Sequence, residues 1–171
     1  TSHRHNEKMT DGEIQWPPLN LPPVQLKLSR EGNVIKVYDR LRDKYVALTP
    51  EEYVRQHFTA WLLDEKHYPK SLLANEIGIE VNCRKRRCDT VAFTPEGKPL
   101  LIVEYKAPGI NVTQAVFDQI VRYNMSLHAL YLAVSNGLRH YCCRIDYANR
   151  TYHFIPEIPD YRSLMSKHSE N

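Results

Sequence analysis

The chain has 171 residues, enough for one domain with a sizeable core, and its 42% hydrophobic and 25% charged content is ordinary for a soluble globular protein. The formal net charge of +3 is mildly basic and compatible with a polyanionic partner. No apolar run is long enough for a membrane span, and no charged-then-apolar leader opens the chain, so a cytoplasmic protein with no membrane association is expected. The four cysteines, Cys83, Cys88, Cys142 and Cys143, make no disulfide framework. Cys83 and Cys88 have the spacing of half a zinc site but lack a second half in strand-like sequence, so reduced thiols are the default.

Residues 1–23 are polar and then proline-rich, reading as an extended arm rather than a packed element. Alternation around Glu31-Gly32-Asn33 predicts a hairpin over 24–38, and Lys44–Leu48 adds a short strand. Thr49-Pro50 with Glu52 is a helix start: a capping threonine, proline at the first helical position and a capping-box glutamate. Val54, Phe58, Trp61 and Leu62 then follow at helical spacing, and the helix should end near Lys66. A strand over 76–83 precedes the basic run Arg84-Lys85-Arg86-Arg87. Strands over 87–94 and 99–106 form a hairpin around Pro95–Lys98.

A second helix is predicted from Thr113 to His128, with Val116, Ile120, Tyr123 and Leu127 as its inner stripe. Residues 129–135 are a nearly all-apolar strand suited to a covered sheet centre. Asn136-Gly137 signals a turn into strands at about 138–147 and 151–155, and the residues after Pro156 carry no clear pattern. The element order is that of a mixed α/β (α+β-like) fold, a central mixed β-sheet flanked by helices, with an arm at 1–23, one domain over 24–160 and a tail at 161–171.

Three charges stand out inside the hairpin strands: Asp89, Glu104 and Lys106. If Thr94 pairs with Pro99, Asp89 falls opposite Glu104 and Arg87 opposite Lys106, and the three charges share one face of the sheet. Two carboxylates this close need a shared proton or a cation, and oxygen donors without sulfur favour Mg²⁺ or Mn²⁺. The Tyr105 carbonyl is a candidate third ligand, and Lys106 a group to orient or deprotonate water or to balance charge on a phosphate. The competing reading pairs Asp89 with Arg87 or another basic-run residue, and Glu104 with Lys106. The basic run itself is either a solvated turn or a phosphate-positioning patch.

The pattern D-x14-E-x-K across a hairpin resembles the PD-(D/E)xK nuclease superfamily. More closely, P-E-E-Y-V-R-Q-H-F, E-Y-K-A-P, F-D-Q-I-V-R-Y-N and S-N-G-L-R-H-Y are similar to the N-terminal nuclease domain of type I restriction enzyme R subunits, over about 49–145. The resemblance implies a restriction-endonuclease-like fold and a metal-dependent DNA endonuclease. In it Asp89 and Glu104 are metal ligands, Lys106 is the catalytic lysine, and Gln119 and Tyr123 give site support or DNA contacts. It offers Glu52 or Glu76 as an extra acid on the metal side, against the capping role of Glu52. Gln119 and Tyr123, four apart on one helix, also fit a plain surface pair. Cys88 stands where the superfamily name has proline. No P-loop motif is present, so translocation along DNA would need a motor or specificity subunit in another chain. The alternative function is a catalytically silent nucleic-acid-binding module that keeps the nuclease fold.

Overall fold

The structure, a computed structural model of the chain, describes residues 7–9 and 16–169. Strands β1 (Glu7–Met9), β2 (Leu28–Glu31), β3 (Val34–Asp39) and β4 (Lys44–Ala47) form an antiparallel sheet in that order. The expected hairpin turns at Gly32, whose φ of 62° suits glycine, and Leu28 lies opposite Val37. Leu26, Leu28 and Val37 make its small buried cluster, against which Tyr53 packs.

Of the proline-rich arm, residues 1–6 and 10–15 lie outside the described residues. The remainder differs from the expected unpacked segment. Glu7–Met9 pairs with β2, Trp16 stands edge-on to Tyr53 at 4.6 Å, and Leu21 packs against the main core. The Asn20 amide donates to the Gly137 carbonyl at 2.8 Å, and His140 Nε2 donates to the Asn20 carbonyl at 2.7 Å. Prolines that keep this stretch extended leave its backbone groups free for such partners.

Helix α1 (Pro50–Asp64) begins where the sequence places it, with the Thr49 hydroxyl accepting the Glu52 amide at 3.1 Å. Val54, Phe58 and Leu62 are fully buried on its apolar stripe. They pack on one face of a six-stranded sheet of order β10-β9-β8-β7-β6-β5. Its strands are β5 (Leu73–Val81), β6 (Arg84–Phe93), β7 (Pro99–Tyr105), β8 (Tyr131–Ser135), β9 (His140–Asp146) and β10 (Thr151–Ile155). Only β7 and β8 run parallel, joined by helix α2 (Gln114–Asn124), which covers the other face; every β8 residue is buried. The fold is thus the mixed α/β arrangement expected.

Four details differ from the sequence reading. The basic run forms the first half of β6 rather than a turn, paired back to Gly78–Val81. The turn falls instead on Asn82 and Cys83, both left-handed with φ of 51° and 64°, as a two-residue hairpin loop requires. Cys83 is therefore an exposed turn residue while Cys88 is buried, and among the described residues no group of three His, Cys, Asp or Glu converges as a metal cluster. The buried residues of α2 are Phe117, Val121 and Asn124; of the expected stripe, Leu127 is buried just past the helix and Ile120 packs partly, while Tyr123 is exposed. Finally, the patternless segment after Pro156 supplies helix α3 (Tyr161–Ser169), whose Leu164 is fully buried in the main core.

The β6–β7 hairpin keeps the expected register over Thr90 opposite Val103, Val91 opposite Ile102 and Ala92 opposite Leu101, and the paired ladder stops short of Asp89 and Glu104. Its turn is tighter by one position. Phe93, not Thr94, faces Pro99, and Thr94 closes the loop by donating its amide to Lys98 and accepting the Gly97 amide. The one-residue slip is absorbed by a bulge, which sends both Leu100 and Leu101 into the core under α1.

Candidate active site

The hairpin brings Asp89 and Glu104 together. Asp89 Oδ2 accepts the Tyr105 amide at 2.9 Å, and its carboxylate shares a hydrogen bond with Glu104. Burial pushes the Glu104 carboxyl up to about 8; the Asp89 charge and that shared bond push the same way, while Lys106 and Arg55 oppose them. Lys106 follows β7 directly, its amide held by the Ser135 carbonyl at 2.9 Å. Burial, then the Glu104 and Asp89 charges, raise the Cys88 thiol to about 12, which keeps it protonated.

The competing ion pairs are not the ones formed. Arg87 pairs with Glu76 at 2.9 Å rather than with Asp89. Glu76 also takes Arg55 Nη2 at 2.6 Å. Burial works against its charge, but these two arginines outweigh it and hold the carboxyl below its usual range. Glu52 lies against Arg42 at 2.5 Å and Arg55 at 3.1 Å, and its side chain accepts from Gln56. Both candidate extra acids are therefore engaged with arginines.

Beneath the pair runs a buried polar chain. The Tyr105 hydroxyl donates to Thr90 Oγ1 at 2.8 Å, Thr90 to Asn75 Oδ1 at 2.6 Å, and Asn75 Nδ2 to Asp39 Oδ2 at 3.0 Å. Asp39 also binds Arg42. Burial opposes its ionisation, yet the Asn75 and Arg42 hydrogen bonds hold its carboxyl below the usual range. This chain ties the small sheet to the site.

The basic strand and α2 meet on the outside. The Arg86 guanidinium lies over the Tyr123 ring at 4.2 Å, while Gln119 is exposed one turn earlier on the helix. Arg84, Lys85 and Arg87 are exposed on the same hairpin.

Arg55 is the site residue that the sequence reading missed. The signal was present: Glu52, Arg55, Gln56 and Thr59 recur at i, i+3, i+4 and i+7, a polar stripe beside the apolar one, and all four are buried. Four polar residues at core-facing positions require partners, which Arg42, Glu76 and the Asp89 carbonyl supply.

A hard divalent cation fits this donor pair, since two adjacent half-buried carboxylates need either a shared proton, which the raised Glu104 carboxyl keeps, or a cation in its place. Among the described residues no helix is long and apolar enough to cross a membrane. The family described as type I restriction enzyme R protein N terminus matches residues 50–159, a span holding α1, the hairpin and α2. Among solved structures, the fragment structure of a protein assigned as an HsdR subunit of a type I restriction enzyme from Vibrio vulnificus YJ016 superimposes with a TM-score of 0.52 at 18% identity. That match covers 72% of this chain and 26% of the other, and at this identity the likeness is one of fold. No curated protein matches the chain in sequence.

Proposed function

We propose, from the premise that the chain belongs to the type I restriction enzyme R protein N-terminal family, that it cleaves DNA by metal-dependent phosphodiester hydrolysis. The observation that carries the reading is the Asp89–Glu104 pair, two carboxyl groups brought into hydrogen-bond contact with each other, with Lys106 two residues after Glu104. Asp89 and Glu104 would hold Mg²⁺ or Mn²⁺, with the Tyr105 carbonyl as a third oxygen donor. A metal bound there supplies a Lewis acid for the phosphoryl oxygen and lowers the pKa of water.

The chain's own residues do the rest. Lys106 places a cation beside Glu104, where it orients the attacking water or balances charge developing on the phosphate. Arg84, Lys85, Arg86 and Arg87 attract the DNA backbone, with Gln119 and Tyr123 flanking them on α2. Contacts of this kind carry no base readout, so sequence choice would come from elsewhere in the longer assembly, as would any motor or specificity subunit. The reading also places the protein in the cytoplasm, with DNA.

Nicking of a supercoiled plasmid in Mg²⁺ or Mn²⁺ tests the proposal. The wild type is expected to nick, and Asp89→Ala and Lys106→Ala to lose at least about a hundredfold in rate, the scale of one lost electrostatic stabiliser. Equal nicking by all three sinks the site assignment. Salt-dependent DNA binding with no cleavage in either metal would instead support the silent binding module.

A further inference from the structure

The β5–β6 ladder is interrupted at one place. Asn75 pairs with Thr90 and Ile77 with Cys88, but Glu76 and Asp89 between them are skipped. Glu76 is left-handed there, with φ of 51°. Strand β6 turns over at the same point. In a regular strand Cys88 and Thr90 would share a face. Here Cys88 packs in the α2-side cluster while Thr90 bonds Asn75 and Tyr105 on the α1 side. A break in mid-hairpin removes ladder partners from the Asp89 backbone, and a buried carbonyl without a donor is costly.

Arg55 fills that gap. It reaches across from α1, only 6% exposed, and Nη1 donates to the Asp89 carbonyl at 3.0 Å. Nη2 binds Glu76 at 2.6 Å, Nε lies 3.1 Å from Glu52, and the guanidinium sits 5.8 Å from the Tyr105 ring centre. One side chain thus bridges α1, β5 and β6 at the residue where pairing fails. With the Asp89 backbone held from that side, its carboxylate is free to take the Tyr105 amide beside Glu104. Glu76, held by Arg87 on its other oxygen, clamps the guanidinium in place.

We infer that Arg55 is a positioning residue: it sets the Asp89 carboxylate for metal binding by gripping the Asp89 main chain, with Glu76 as its clamp. The inference rests on the proposed role of Asp89 and Glu104 as metal ligands. A lysine would not replace Arg55, because one ammonium cannot present a planar fork to two partners at once.

The test measures Mn²⁺ affinity by calorimetry and plasmid nicking across Mn²⁺ concentrations, on the full chain and its Arg55→Met, Arg55→Lys and Glu76→Gln variants. Arg55→Met should weaken Mn²⁺ binding and slow nicking by about 10–100-fold, the usual effect of losing a group that orients a metal ligand. The DNA concentration for half-maximal rate should stay within about twofold, since Arg55 is buried away from the basic strand's exposed face. Arg55→Lys should remain impaired in both readouts, and Glu76→Gln should fall between. If Arg55→Met does not fold by circular dichroism, Arg55→Lys and Glu76→Gln decide. Wild-type Mn²⁺ affinity in Arg55→Met, or full rescue of both readouts by Arg55→Lys, overturns the inference. A wild type that binds Mn²⁺ without nicking overturns the hydrolytic reading alone, and the Mn²⁺ affinities still decide the role of Arg55.

Discussion

Glu104→Gln should make the metal-free protein more stable, although it removes a residue from the candidate active site. With its carboxyl raised from 4.5 to about 8, Glu104 must keep its proton in the folded state at pH 7 while the unfolded chain releases it. The folded state therefore binds more protons across this window. The group is stability-neutral below pH 4.5 and costs progressively more as pH rises toward about 8. Between 4.5 and pH 7, at about 1.4 kcal/mol per unit, the ceiling is ~3 kcal/mol. Water at this half-buried site screens part of that, leaving about 1–2 kcal/mol, or a rise of roughly 3–6 °C in Tm for a chain of this size. Thermal unfolding in EDTA at pH 8 and at pH 4 is the assay. The variant should melt higher at pH 8 and close to wild type at pH 4. Adding Mn²⁺ should raise the wild-type Tm and leave the variant unchanged. A variant no more stable than wild type at pH 8 refutes the argument that burial and the Asp89 charge hold the Glu104 carboxyl in its protonated form.

Other substitutions probe the frame around the pair. Phe58→Ala empties a fully buried site between α1 and the sheet and should cost about 3–5 kcal/mol in chemical denaturation. Asp39→Asn at pH 7 should cost on the order of 3 kcal/mol, because Arg42 and Asn75 lose a buried anion. That carboxyl is held below its ordinary value of 3.8, so its contribution is complete above that pH and fades as pH falls through the lower folded value. The gap between wild type and Asp39→Asn should narrow correspondingly in acid. Arg86→Ala should weaken duplex binding equally for unrelated sequences and lower the salt slope by about one, measured by fluorescence anisotropy. A sequence-dependent loss would contradict a pure backbone contact.

The sequence made the local parts of this fold legible and the tertiary parts hard to read. Thr49-Pro50 starts α1 because capping is a contact within one turn. The register that carries Asp89 toward Glu104 is readable from Thr90 onward, because alternation fixes which residues of two neighbouring strands share a face. The turn closes one position away from where alternation puts it, since Gly97 and a bulge at Leu100 offer the chain a second way to close. In α2 two overlapping apolar stripes satisfy the same period, and the large Phe117 ring, packed at a tilt against Tyr152 and Phe154, decides between them. Helix α3 packs only Tyr161, Leu164 and Met165 on the core, a single i, i+3, i+4 set too short to stand out in the sequence. Arg55 escaped notice because a charged residue on a helix is ordinarily solvated, and its three partners lie 3, 21 and 34 residues away.

The central claim is that Asp89 and Glu104 together hold a divalent ion, and calorimetric titration of the metal-free chain with Mn²⁺ tests it most directly. The account predicts saturable binding by the wild type and by Lys106→Ala, and loss of that binding in both Asp89→Ala and Glu104→Ala. Binding that survives unchanged in either carboxylate variant, or a wild type that takes up no Mn²⁺, would contradict it.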